Sequence, residues 1–136
     1  MKKLIGKFTL EYLDGKNEYV LRLTPDAQDE LISIKELKIL VKENSAYSTD
    51  ELFMIIHTAK EEKEFKMPIK ASIIKINDSI LAKPTLISSV YDDENWIATL
   101  KDINKEEYDK LDEFAMWDRY QSLISLIYKN ASKTVL

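Results

Sequence analysis

Apolar residues near the start of the chain recur at every second position, and this spacing constrains the fold more than any other feature. Leu4, Gly6, Phe8, Leu10 and Tyr12 share one parity, and Tyr19, Leu21 and Leu23 share one after the break at Asp14-Gly15. Strand side chains point alternately to two faces, so a period of two describes one apolar face of a sheet. Asp-Gly between two such runs is a preferred two-residue type I′ turn. That turn pairs Phe8 with Leu21, Leu10 with Tyr19 and Gly6 with Leu23, all on one side.

The same period carries on. Thr24-Pro25-Asp26 reads as a helix start, with a capping Thr, Pro in the first position and an acid in the first turn. The apolar residues from Ala27 to Val41 scatter around a helical wheel but alternate as Ile32 and Ile34, then Leu37, Ile39 and Val41. A short helical turn leading into a strand, bulged at the slip Lys35-Glu36, is expected. Beyond a polar loop at 44–50, a second hairpin is expected over 52–69 around Glu61-Glu62. It sets Met54 opposite Ile69, Ile56 opposite Met67, Thr58 opposite Phe65 and His57 opposite Lys66, and Pro68 marks its edge. Residues 72–76 and 80–83 flank a turn at Asn77-Asp78. Residues 86–91 and 96–100 read as a third hairpin around Asp92-Asp93-Glu94-Asn95.

The last expected element is a helix over 104–129. Asn104-Lys105-Glu106-Glu107 has the form of a capping box, and no Gly or Pro interrupts it before Lys129. At 100° per residue, Tyr108, Leu111, Phe114 and Ala115 make one apolar face. Met116, Trp117, Tyr120, Leu123, Ile124, Ile127 and Tyr128 make another, turned by roughly half a revolution. Either the helix kinks near 115–116, or its distal half packs on something other than its own sheet. The fold class expected is α+β: a single domain, 1–136, with a mostly antiparallel β meander of about seven strands over 1–101, barrel or sandwich, followed by a long C-terminal helix.

Composition excludes several functions. A chain of 136 residues, 45% hydrophobic and 32% charged, can bury a core without staples. It has no cysteine, which removes disulfides, thiolate nucleophiles and Cys-based zinc sites. The net charge is −4, and Arg22 and Arg119 are the only arginines, so nucleic acid is not an expected partner. Lysines alternate with acids, as in Lys60-Glu61-Glu62-Lys63-Glu64, which reads as a solvated turn. The apolar run after Met1-Lys2-Lys3 ends at Lys7, too short for a signal sequence, and no stretch is long enough to span a membrane. A cytoplasmic protein is expected. Its wealth of Lys, Ile and Asn suggests an AT-rich genome, that of a low-GC bacterium or its phage.

Little in the sequence carries chemistry. His57 is the one histidine, and no Gly-x-Ser-x-Gly elbow accompanies it, so it reads as a sheet-surface residue. Asp92-Asp93-Glu94-Asn95 lacks the alternating ligands and the glycine of a calcium loop. Glu106, Glu107, Asp109, Asp112 and Glu113 suit the start of a helix without any catalytic task. Two glycines leave no phosphate-cradling loop. No catalytic residue, metal or cofactor is therefore expected. The preferred reading is a non-catalytic protein-interaction module of the small phage or bacterial accessory, inhibitor or immunity kind. It would form a homodimer or dock on a protein partner through Met116, Trp117, Tyr120, Leu123, Ile124, Ile127 and Tyr128. The alternative is a small-ligand-binding or enzymatic β-barrel using His57 or the clustered carboxylates.

Overall fold

The structure, a computed structural model, describes residues 1–114. These build two antiparallel sheets. Strands β1 (Lys2–Ile5), β2 (Phe8–Leu13) and β3 (Glu18–Leu23) open the larger one. Helix α1 (Pro25–Asp29) then leads into β4 (Ile34–Ile39), followed by β5 (Ala46–Tyr47), β6 (Leu52–Thr58), β7 (Glu62–Lys66) and β8 (Ala71–Ile76). Helix α2 (Asp78–Ala82), a 3-10 turn at Pro84–Ser88 and helix α3 (Asp92–Asn95) precede β9 (Ala98–Lys101), α4 (Lys105–Asp109) and β10 (Asp112–Glu113). The large sheet runs β10-β1-β2-β3-β9-β8-β5 and the small one β4-β6-β7. Because β3 pairs with β9, the chain is no simple meander.

The inward faces of the two sheets meet as a sandwich. Leu10, Leu21, Ile73 and Leu100 of the large sheet and Phe53, Met54 and Ile56 of the small one are all 0% exposed. Phe8 joins the layers, its ring centroid 6.2 Å from Phe53 and 6.0 Å from Phe65, edge to face in both cases. Each such side chain contributes about 1.5–3 kcal/mol of burial free energy.

The first hairpin forms with a register two residues from the expected one. Phe8 pairs with Leu23 and Leu10 with Leu21, because the loop holds four residues, Asp14 to Asn17. Gly15 at φ +80° and Asn17 at φ +56° both take left-handed conformations, and the Lys16 amide donates to Leu13 O at 3.2 Å. A shift of two keeps every side chain on its face, so the apolar side still faces the core. The alternating run from Leu4 to Tyr12 is itself folded back at Gly6 (φ +59°), which separates β1 from β2. The strand over β4 has its irregularity between Ile34 and Glu36, at the slip in the pattern.

The third hairpin is absent. In its place stand short helices, held by buried amide side chains where a ladder was expected. Gln28 Nε2 donates to Ile87 O and Ser89 O, each at 3.0 Å, and Asn77 Nδ2 donates to Glu94 O and Trp96 O. Pro84 brings no amide hydrogen, which suits a helical start and disfavours a central strand. Asn77 caps α2 by accepting from the Ser79 amide at 3.0 Å, so residues 80–82 are helix rather than strand.

The long C-terminal helix is also overturned among the described residues. Asn104 Oδ1 accepts from the Glu107 amide at 3.1 Å, as the capping signal predicts, but α4 ends at Asp109. The chain then pairs with β1, Lys3 opposite Glu113 and Leu4 opposite Asp112, and the Phe114 amide donates to Lys2 O at 2.9 Å. An open strand edge offers unpaired backbone groups, and satisfying them outweighs continuing the helix. The break thus precedes residues 115–116, where a kink was one of the two alternatives. Tyr108, on the proximal face, packs into the sandwich with its ring 5.0 Å from Tyr19. Met116, Trp117, Tyr120, Leu123, Ile124, Ile127 and Tyr128 lie outside the described residues.

Candidate functional site

The most distinctive surface feature is the tip of the β6–β7 hairpin. Its register sets Met54 opposite Phe65, Ile56 opposite Lys63 and His57 opposite Glu62. The turn therefore centres on Ala59-Lys60, two residues before the expected Glu61-Glu62. Thr58 builds it. Its amide donates to Glu61 O at 2.8 Å, and its hydroxyl accepts from the amides of Lys60 (3.3 Å) and Glu61 (3.1 Å). A threonine hydroxyl bonded to the backbone ahead of it substitutes for the glycine such a tip usually needs. The Ala59 amide donates to Ser33 O at 3.0 Å, which ties the tip to the chain leading into β4.

Lys60 is exposed at this apex. The two acids that follow it are occupied elsewhere. Glu61 lies 3.3 Å from Lys63 Nζ, and Glu62 lies 3.4 Å from His57 Nε2. Lys63 also reaches Glu30 at 3.2 Å, and Glu30 lies 3.9 Å from Lys7. The hydrogen bond from Lys63, then the charges of Lys63 and Lys7, hold the Glu30 carboxyl below its ordinary value. Hydrogen bonds to Glu30 and then Glu61 push the Lys63 ammonium above its own. Lys60 takes part in no ion pair among the described residues. The backbone of Lys60 is thus held at a fixed point of the turn.

Beside β7 runs an open groove of about 430 Å³. Phe8, Phe65, Met67 and Pro68 supply its apolar wall, and Lys7 and Glu64 its polar rim. Lys7 Nζ sits 5.8 Å over the Phe65 ring. Such a groove can accept a slender, mostly apolar chain carrying a few polar atoms.

The residues weighed for catalysis do not converge. His57 faces Glu62 instead of Lys66 and pairs with it on the sheet surface. Asp92 is engaged by Lys2 Nζ at 2.6 Å, while Arg22 donates to its carbonyl, so the acidic loop is a structural joint. Glu106 and Glu107 open α4, whereas Asp112 and Glu113 are exposed in β10. Among the described residues no group of His, Asp and Glu is placed to hold a metal ion. Lys60 was missed because it is spelled as one lysine in an alternating charged turn. The available signal was a tight tip with neither Gly, Asn nor Pro at its centre, where an exposed lysine has no conformational reason to be.

Known proteins share this architecture. The family profile described as "Glycine cleavage H-protein" matches residues 9–122. A Glycine cleavage system H-like protein from Staphylococcus aureus is 26% identical over 79% of this chain and 94% of its own length. A Glycine cleavage system H protein from a Marinomonas species is 26% identical over 72% of this chain and 76% of its own. The crystal structure of a glycine cleavage system H protein from Mycobacterium marinum superposes with a TM-score of 0.64 at 12% identity. It covers 74% of this chain and 82% of that one, a likeness of fold. The profile match overturns the reading of the chain as a phage-type accessory, inhibitor or immunity module. The chain belongs to the Glycine cleavage H-protein family.

Proposed function

We propose that the protein is a lipoyl carrier of a glycine cleavage system, with Lys60 as the residue that bears the lipoyl group. Family membership supports the carrier reading, and the geometry of the β6–β7 apex supports the choice of lysine. A lipoyl group is joined through its carboxyl carbon to a lysine nitrogen, so the acceptor must be exposed, projecting and free of a competing partner. Lys60 meets all three conditions: it is exposed, stands at the hairpin tip, and has no ion pair among the described residues. When bound, the group supplies a dithiolane whose sulfurs accept electrons or a small carbon fragment. The chain's own part is to present and shelter it. Thr58 and Ser33 fix the point of attachment, and further along β7 the groove lined by Phe8, Phe65 and Met67 presents an apolar face. Anchoring the arm on a rigid turn confines its far end to a small volume and raises its effective concentration at a partner's site.

In this reading the protein is a substrate carried between enzymes and does no catalysis of its own. Proteins of a glycine cleavage system are its partners. Met116, Trp117, Tyr120, Leu123, Ile124, Ile127 and Tyr128 are proposed as a contact surface for them, supported by their apolar spacing at three and four residues. A reducing compartment such as the cytoplasm fits, since a dithiol persists there. No helix among the described residues is long and apolar enough to cross a membrane.

The carrier reading is tested by co-expressing the chain with a lipoate–protein ligase and weighing the intact protein. One lipoyl amide, mapped to Lys60 by peptide sequencing and lost in Lys60→Arg, is the expected result. Modification mapped to another lysine, or unchanged in Lys60→Arg, overturns the assignment.

A further inference from the structure

Lys60 lies in the turn and Lys63 in the strand that follows it, and the carboxylates around this end of the hairpin are unevenly shared. Glu30 from the end of α1 and Glu61 from the turn both reach Lys63, at 3.2 and 3.3 Å, and Glu62 is drawn off to His57. None of the three pairs with Lys60. We propose that Glu30 and Glu61 determine acceptor choice, keeping Lys63 in ion pairs so that Lys60 is the amine acylated at this tip. The inference rests on the carrier reading and extends it to specificity.

The chemistry explains why a clamp selects. Acyl transfer from an acyl adenylate needs a neutral amine. Its nitrogen lone pair forms the C–N bond, the C–O bond to the phosphate breaks, AMP leaves, and the nitrogen gives up a proton to solvent. An ammonium that donates its hydrogens to two carboxylates has no lone pair to offer, and its side chain is held away from a docking acyl donor. Lys63 is only 17% exposed in its side chain, which narrows access further. Lys7, 3.9 Å from Glu30, adds a second cation that keeps this carboxylate ionised and the clamp closed. Glu30 and Glu61 are positioning residues in this scheme. Neither touches the reacting atoms.

The test uses the full chain and two acyl donors. With limiting N-hydroxysuccinimidyl acetate, peptide mass spectrometry should show Lys63 acetylated several-fold more slowly than Lys60 and Lys66 in the wild type. Glu30→Gln combined with Glu61→Gln should raise Lys63 labelling several-fold and leave Lys60 unchanged. With a lipoate–protein ligase, Lys60→Arg alone should gain no lipoyl group, whereas Lys60→Arg in the Glu30→Gln, Glu61→Gln background should gain one at Lys63. Equal acetylation of Lys60 and Lys63 in the wild type overturns the clamp, and this measurement needs no variant to fold. Protection of Lys63 without a lipoyl amide at any lysine overturns the carrier reading instead, and with it the acceptor choice.

Discussion

Tyr108 joins three parts of the chain through one phenol. Its hydroxyl donates to Met1 O at 2.6 Å and accepts from the Tyr12 amide at 3.2 Å, while its ring packs against Tyr12 and Tyr19. Burial is the main cause that raises its ionisation above the ordinary tyrosine value, so the group stays a neutral donor. Tyr108→Phe keeps the ring and deletes both bonds, leaving the Tyr12 amide without its partner. The expected loss is about 1–2 kcal/mol in urea unfolding, with faster exchange of the Tyr12 amide in β2. A variant as stable as the wild type would mean that water replaces the hydroxyl. In the sequence Tyr108 was legible as core, because its spacing to Leu111 marks one helical face. Lys60 was not legible. A reactive amine and a solvated one are the same letter, and only the partners chosen by Glu61 and Glu62 tell them apart.

Turns decided how far the elements could be read. Asp14-Gly15 correctly placed a reversal between two strands, but the pair alone cannot say whether two residues or four form the loop. Here Asn17 takes a second left-handed position, and the register moves by two. Gly15 keeps its importance in the longer loop. At φ +80° a β-carbon is strained even though nothing lies near it. Gly15→Ala should therefore cost about 1 kcal/mol in thermal or denaturant unfolding, the scale of left-handed strain. No loss would show that the loop relaxes to another turn. The cap at Asn104 and the N-terminus of α4 were readable for local reasons. The end of α4 was not, because it is set by the free edge of β1, about a hundred residues earlier in the chain. The helical turns at Asp78–Ala82 and Pro84–Ser88 were misread as strands for a similar reason. Buried Gln28 and Asn77 satisfy backbone groups that a strand reading assigns to a ladder.

At the scale of the whole molecule, a sandwich of two sheets carries a projecting hairpin on the smaller one. Partners of a carrier must approach that tip, so they also meet the surface around it. Changing Tyr120 and Ile124 together to Glu tests whether the C-terminal apolar residues take part. The variant should keep its circular dichroism and accept a lipoyl group, yet lose most glycine-dependent turnover when added to the other proteins of a glycine cleavage system. If it unfolds instead, these residues belong to the core and the proposed contact surface fails.

The pairing of β3 with β9 brings Leu21 beside Ala98. That order of strands has a consequence in time. Contacts within the β6–β7 hairpin join near neighbours and close in about 1–10 μs, as isolated hairpins do. The large sheet must close a loop of more than half the chain, whose entropy is lost before its contacts form. The turn that offers Lys60 can thus exist before the sandwich does, but Ser33 and Glu30, which fix and sort its lysines, precede β4 and arrive only once β4 has paired with β6. Acceptor identity on this chain is a property of the finished fold and not of the hairpin that displays it.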